Sequence, residues 1–484
     1  MSDSKKELLA RIKYGRCEVL GLGISNVPLC RWLVSRGAKV CGRDKRTEEA
    51  LGATAKELKS LGVTLITGEG YLDEIGGDTP ANTLIFRSPG MRPDIPEIQK
   101  ALSLGAILTS EMELFFELTP TMIIGITGSD GKTTTTTITG ELLREQFRRD
   151  RTGRRVFIGG NIGDPLLPYV DEMRSDDISV VELSSFQLMT FKRSPDRAVI
   201  TNVTPNHLDW HHDGMSEYTK AKTNIYANIG CARVTLNAEN EITAQLAKNA
   251  KIPVTYFSAK RSSFEDIVAI DETDRSAIFE RDGSIIFSDG NIEEKLLETG
   301  SIKLPGCHNV QNYMAAISAT WGLVSVDTIK EIAETFNGVE HRCEFVRIKD
   351  GVKYYNSSID SSPTRTEAAL SSFSQKVIII CGGYDKKIPF EPLGAALCKK
   401  AKKVILTGAT AALIKKAVIE CPDYYDGLLD IIENSDFEEA VKAAAAAARQ
   451  GDIVILSPAC ASFDAFRNFE ERGRKFKEIV NNLE

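Results

Sequence analysis

Thr127-Gly128-Ser129-Asp130-Gly131-Lys132-Thr133-Thr134 follows the apolar run Met122–Ile126 and precedes the helical-looking stretch TTTITGELLREQ. A glycine loop between a strand and a helix turns successive N–H groups toward one point. The helix N-terminus adds partial positive charge, so such a loop suits phosphate. Lys132 is placed to reach the terminal phosphates, and the Thr133 hydroxyl is of the kind that holds Mg2+ in such loops. The loop is a shortened form of the Walker pattern, with Ile126 where that pattern has its first glycine. Glu182 ends the apolar run ISVVE, and His207 lies in NVTPNHLD, just past RAVI. A carboxylate and an imidazole at strand ends beside a phosphate loop suit Mg2+ ligation. Lys222, in MSEYTKAK, reads on residue type alone as a solvated helical lysine.

Three further strand-end loops carry polar groups. Gly21-Leu22-Gly23-Ile24-Ser25-Asn26 follows a strand, and Asp44-Lys45-Arg46 ends the next one. This is close to a dinucleotide fingerprint, but Asn26 stands where its third glycine belongs. What remains is a Rossmann-like turn suited to a nucleotide or another diphosphate. Cys381-Gly382-Gly383-Tyr384-Asp385-Lys386-Lys387 follows KVIII, and Ser457-Pro458-Ala459-Cys460-Ala461-Ser462 follows DIVIL. Their lysine, hydroxyls and backbone N–H groups suit a small anion.

The elements that must position these loops are legible as a pattern. Continuous apolar runs, each ending in a glycine turn and leading into helical periodicity, imply strands buried on both faces, as in parallel sheets. At 484 residues the chain exceeds what one core supports, at roughly 150 residues per domain. The expected class is α/β with three domains. These are a Rossmann-like domain over 1–108, a central P-loop domain with a parallel sheet over 109–338, and a Rossmann-like domain over 339–484. Between Phe257 and Leu304 the chain reads as a polar hairpin turning at Asp282-Gly283. A net charge of −7 argues against nucleic acid or an anionic membrane as partner. The ten cysteines form no C-x-x-C pair, no apolar stretch is long enough to span a bilayer, and the N-terminus lacks a signal-peptide core. A cytoplasmic protein with reduced thiols is expected.

Taken in order, GLGIS, SPG, TGSDGKTT, GGNIG, ELSSFQL, NVTPNHLD, YTKAK, LPGCHNVQN, HRCE, GGYDKK and SPACASFDAFRNFEERG resemble the signatures of the Mur ligases. These are ATP-dependent, ADP-forming amide ligases of peptidoglycan precursor synthesis. The last segment is similar to that of the branch adding D-glutamate to UDP-N-acetylmuramoyl-L-alanine, and the DNPR of the diaminopimelate or lysine branch is absent. The resemblance implies a monomer whose three domains bind the UDP-sugar, ATP and the amino acid. It implies ATP contacts at Gly128, Ser129, Asp130, Gly131, Lys132, Thr133, Thr134, Asn312 and Arg342. It assigns the UDP-sugar to Ser25, Asp44, Lys45, Arg46 and Asn161, and D-glutamate to Lys386, Ser462, Phe469 and Ser361. Two Mg2+ ions are implied on Thr133, Glu182, His207 and Lys222, the last as an N-carboxylate derived from CO2. Lys132, His207 and Lys222 take the catalytic roles. Three departures stand out. Asp130 replaces a frequent Asn. Ser357 replaces an aspartate expected on the ATP ribose, with Asp360 three residues on. Ser361 replaces a threonine and keeps its hydroxyl. The competing readings are a folylpolyglutamate synthetase-like ligase, which shares the central domain but not the SPACASFD end, and a non-catalytic P-loop nucleotide-binding protein.

Overall fold

The structure, a computed structural model, describes residues 3–269 and 273–483. Three sheets follow one another along the chain. β1 (Arg16–Leu20), β2 (Lys39–Asp44), β3 (Thr64–Thr67), β4 (Thr83–Arg87) and β5 (Ile107–Thr109) pair in the order β3-β2-β1-β4-β5, all parallel. The order reverses between β1 and β4, and ligands bind such sheets in the crevice beyond the strand ends at that reversal. Both the Gly21 loop and the Ser88-Pro89-Gly90 turn open there. A Cβ on Gly21 would lie 3.0 Å from Ser88 Cβ, so glycine lets the two turns approach.

The second sheet holds β6 (Met122–Thr127), β7 (Val156–Gly160), β8 (Ile178–Glu182), β9 (Arg197–Ile200), β10 (Arg233–Asn237), β11 (Val254–Ser258), β12 (Arg275–Arg281), β13 (Ser284–Ser288) and β14 (Glu293–Glu298). Its order is β14-β13-β12-β11-β10-β9-β6-β8-β7. β6 therefore lies between β9 and β8, and the phosphate loop is flanked by the segments carrying His207 and Glu182. β12 and β13 form the hairpin expected from Asp282-Gly283. Both residues have positive φ, 51° and 76°, as the tight turns matching strand twist require.

The third sheet, β15 (Glu344–Lys349), β16 (Val352–Asn356), β17 (Val377–Cys381), β18 (Ala401–Leu406), β19 (Asp430–Glu433) and β20 (Ile453–Leu456), runs β15-β16-β20-β17-β18-β19. It is parallel except for the β15–β16 pair. The order reverses between β17 and β20, whose following loops are GGYDKK and SPACAS.

The apolar runs are continuous because both strand faces are covered. On β17, Val377, Ile379 and Cys381 join one core and Ile378 and Ile380 the other. The first two sheets share a core that includes Val19, Phe86, Phe115, Phe116, Val181 and Leu183. The chain forms two compact units. One comprises residues up to Leu297 with Asn312–Ile329, and the other Glu298–Gln311 with Lys330 onward. No helix among the described residues is long and apolar enough to cross a membrane.

Candidate active site

The phosphate loop is braced by its neighbours as well as by its own lysine. Ser129 N donates to Asn202 O at 2.9 Å, and Asp130 N to Asn202 Oδ1 at 2.9 Å. Ser129 Oγ lies 2.9 Å from Tyr218 Oη and donates to Thr204 O. The segment after β9 is thus a brace for the loop after β6. Two glycines are required here. A Cβ on Gly128 would come 1.9 Å from Thr201 Oγ1, and one on Gly131, at φ 80°, 2.4 Å from Asn312 Oδ1. Asn312 also accepts from Thr135 Oγ1 at 3.2 Å, so it seats against the start of the helix Lys132–Arg149. That helix has no side-chain cap at its N-terminus, which leaves first-turn N–H groups to face a phosphate.

Lys132 and Lys222 converge on one carbonyl. Lys132 Nζ donates to Gly128 O at 3.0 Å and Ser129 O at 2.9 Å. Lys222 Nζ donates to the same Gly128 O at 2.6 Å and lies 4.6 Å from the Tyr218 ring centre. Lys222 is 1% exposed, so the surface reading of this lysine is wrong. The helix Met215–Ala227 turns its Tyr218–Ala221–Lys222–Ile225 face inward. Burial holds the Lys222 ammonium well below its ordinary pKa. The Lys132 charge adds to this, while Asp130 and Glu182 oppose it. Glu182 is 1% exposed. Its Oε1 accepts from Asn161 Nδ2 at 2.8 Å, and its Oε2 is buried with no partner. His207, at φ 55°, rests its ring 5.0 Å from Phe186. Burial lowers its pKa, as does the Lys132 charge, which favours the neutral, ligand-competent imidazole.

An orphaned buried carboxylate oxygen, a threonine hydroxyl at the helix start and a neutral imidazole fit a small hard cation. Among the described residues no three His, Cys, Asp or Glu side chains gather as a metal cage. Mg2+ takes one or two carboxylates and completes its shell with water and substrate phosphates.

In the first sheet, Asn26 replaces the missing glycine by bonding the loop. Its Nδ2 donates to Leu20 O at 3.1 Å and Gly21 O at 2.9 Å. Asp44 Oδ2 accepts from Leu22 N at 2.7 Å and from Arg46 Nη2 at 2.8 Å. Burial alone would raise the Asp44 pKa, but these bonds outweigh it and hold it at about 2. The carboxylate is committed to shaping the turn and is not open to a ribose. Ser25 stands at the start of the helix Asn26–Ser35. Lys45 and Arg46 are exposed at the rim, Arg46 with one nitrogen spent on Leu22 O at 2.8 Å.

In the second unit, Lys386 Nζ donates to Ser361 Oγ at 3.2 Å and Ser361 O at 3.3 Å. Ser462 is buried at the end of the β20 loop, and Phe469 opens the helix Phe469–Asn481. Arg342 is exposed in the turn after Val339. Asp360 turns inward and its Oδ2 accepts from Ser457 Oγ at 2.7 Å. Burial pushes its carboxyl up to about 6, against the bonds from Ser357 and Ser457. It buttresses the interior beside β16 and β20.

Sequence reading missed the braces: Tyr218, Thr201, Asn202 and the buried Arg472. Asn202 and Tyr218 sit within NVTPNHLD and YTKAK and Thr201 immediately before the former, so their proximity to the loop was inferable, and Arg472 lies near the end of SPACASFDAFRNFEERG; the bonding of all four was not legible.

Two family models match the chain, the Mur ligase middle domain over residues 126–320 and the Mur ligase glutamate ligase domain over 341–460. The UDP-N-acetylmuramoylalanine–D-glutamate ligase of Acetivibrio thermocellus is 46% identical over 487 aligned residues, covering 100% of this chain and 99% of the relative. That of Ruminiclostridium cellulolyticum is 46% identical over 486, covering 100% of both. Among solved structures, a UDP-N-acetylmuramate–alanine ligase from Thermotoga maritima superposes with a TM-score of 0.54 at 18% identity, covering 97% of this chain and 99% of that one. That last likeness speaks to the three-domain fold. With near-full-length identity and both family models in place, the chain belongs to the Mur ligase family.

Proposed function

We propose that this chain joins D-glutamate to the L-alanyl carboxylate of UDP-N-acetylmuramoyl-L-alanine, with ATP converted to ADP and phosphate. The observation that carries the reading is identity of 46% along the whole chain with relatives of that name. The geometry around Gly128 supplies the chemistry. We assign residues 1–108 to the UDP-sugar, 109–338 to ATP and 339–484 to the amino acid, and the protein to the cytoplasm as a monomer.

A carboxylate is a poor electrophile with a poor leaving group, so it must be activated. An oxygen of the alanyl carboxylate attacks the γ-phosphorus of ATP, ADP leaves, and an acyl phosphate forms. Bringing two anions together requires charge neutralisation and alignment. The N–H groups over Gly128–Thr134 and the Lys132 ammonium provide both from the protein side. Thr133, Glu182, His207 and carboxylated Lys222 would hold Mg2+, which when bound neutralises phosphate charge. The D-glutamate amine then attacks the acyl carbon, and phosphate leaves from the tetrahedral intermediate. Lys386, with the Ser361 and Ser462 hydroxyls, binds the side-chain carboxylate, and Phe469 forms an apolar wall. Water must be excluded while the acyl phosphate lives.

Carboxylation of Lys222 follows from its burial. A neutral amine attacks CO2, the new N–C bond forms, and one proton leaves to solvent. This converts a neutral amine beside Lys132 into an anionic oxygen ligand. As an ammonium beside Mg2+, Lys222 would be repelled by several kcal/mol even at an effective dielectric of about 20.

The test is phosphate release followed with each substrate omitted in turn. The proposal requires release only with ATP, the UDP-sugar and D-glutamate together. Release without the UDP-sugar, or none at all, contradicts it.

A further inference from the structure

Arg472 is 2% exposed, one turn into the helix Phe469–Asn481. Its four side-chain bonds go to two loops, one 114 residues away in sequence and one just before its own helix. Nε donates to Ser358 Oγ at 3.0 Å and Nη2 to Ser358 O at 2.9 Å. Nη2 also donates to Cys460 O at 3.0 Å, and Nη1 to Ala461 O at 3.1 Å. Ser358 Oγ in turn donates to Phe469 O at 2.7 Å. A third loop joins through a shared acceptor. Tyr384 N donates to Ala461 O at 2.9 Å, and a Cβ on Gly383 would stand 2.3 Å from that oxygen and 3.2 Å from Arg472 Nη1. Gly383, at φ 147°, thus lets the GGYDKK loop close onto the guanidinium. Three residues beyond Ser358 is Ser361, three beyond Gly383 is Lys386, and one beyond Ala461 is Ser462.

We infer that Arg472 is the positioning residue of the amino-acid site, one planar fork setting the mutual placement of the loops that carry Ser361, Lys386 and Ser462. This rests on the assignment of D-glutamate to those residues. The fork geometry matters because the five guanidinium donors are rigidly arranged, whereas a lysine ammonium is a point donor on a flexible stem. None of the four bonds is to a carboxylate. Burial draws the guanidinium down to about 10, still charged at neutral pH. A fully desolvated cation bonded only to neutral oxygens is a costly way to brace a fold, which points to a use at the site it adjoins.

The test is steady-state kinetics of full-length Arg472→Lys, with thermal melting. Arg472→Lys keeps the charge and loses the fork. The expected result is a D-glutamate KM raised about 10- to 100-fold, with the ATP and UDP-sugar KM values within about threefold of wild type and the melting temperature close to it. A second variant, Ser358→Ala, removes one acceptor and leaves the guanidinium's carbonyl bonds. It should raise the D-glutamate KM about 3- to 10-fold, and it decides the matter if Arg472→Lys does not fold. An unchanged D-glutamate KM in folded Arg472→Lys, or in Ser358→Ala where the first variant fails to fold, overturns the inference. So does a parallel rise of all three KM values with a lowered melting temperature, which is what a merely structural role produces. Wild-type enzyme that turns over with other amino acids but not D-glutamate would instead remove the reading on which the inference rests.

Discussion

Lys132 and Lys222 sharing the Gly128 carbonyl is the residue-scale fact from which most of the chemistry follows. Two amines on one neutral oxygen suppress each other's charge, and with burial this leaves Lys222 as the neutral amine that can be modified. Lys222→Arg keeps length and charge but cannot form a carbamate, so turnover should fall by at least about 10²-fold, in line with loss of a preorganised charge-stabilising group. 13C NMR of the wild-type protein in 13C-bicarbonate should show a protein-bound carbamate carbon that is missing in the variant; an unlabelled wild type at full activity would refute the modification. Lys386→Ala should raise the D-glutamate requirement about 10- to 150-fold, the loss of one charge-assisted bond, with ATP affinity little changed; equal loss of both would misplace the amino acid. Lys132, Thr133, Glu182 and His207 were legible because each sits at a strand end or in a glycine loop, where type and position together restrict the chemistry. Lys222 was not legible from its helix, since only tertiary packing makes that face an interior one. Arg472 was still further from view, because its partner Ser358 lies 114 positions away.

At the scale of elements, strands covered on both faces announce themselves as continuous apolar runs, which is why β1, β6, β8, β17 and β20 could be read directly. Shorter or more polar strands such as β7, β10 and β19 could not, because VFIGG, RVTLN and DIIE carry too little apolar character to stand out from their surroundings. The helix Glu111–Leu118, which follows β5 and precedes β6, carries a separate consequence. Glu111 is buried and accepts from Leu167 N at 3.3 Å, and Glu113 accepts from Ser110 and Thr190 hydroxyls. Burial pushes both carboxyls up to about 7, opposed at Glu113 by those bonds and by the Arg87 and Lys192 charges. Their folded pKa values lie above the unfolded ones, so the folded state holds more protons between about pH 4.5 and 7. The stability they confer is complete below the unfolded value and is lost as pH rises through the folded one. Denaturant melts should therefore show stability falling across that window by an amount on the order of 1–3 kcal/mol per group. Glu111→Gln and Glu113→Gln should flatten the fall; an unchanged slope in the double variant would contradict it.

The whole molecule carries a net charge of −7, yet the proposed substrates are all anions. Recognition must come from local arrangements: N–H groups at a helix start and Lys132 in one unit, Lys386 in the other. The first sheet illustrates how much a fold-level likeness leaves open. Its GxG turn resembles a dinucleotide site, but Asn26 occupies the third glycine position and Asp44 is engaged by Leu22 and Arg46. Calorimetry should give heat with the UDP-sugar and with UDP, and none with NAD; the reverse pattern would overturn the assignment of residues 1–108. The most direct test of the central claim is a competition. The protein is incubated with ATP, Mg2+ and UDP-N-acetylmuramoyl-L-alanine in an equimolar mixture of D-glutamate, L-glutamate, D-aspartate, L-alanine, L-lysine and diaminopimelate, and the products are resolved by mass and chirality. The account predicts one new product, the D-glutamyl conjugate, formed in step with ADP. A product carrying any other amino acid, or ADP accumulating with no conjugate, would contradict it.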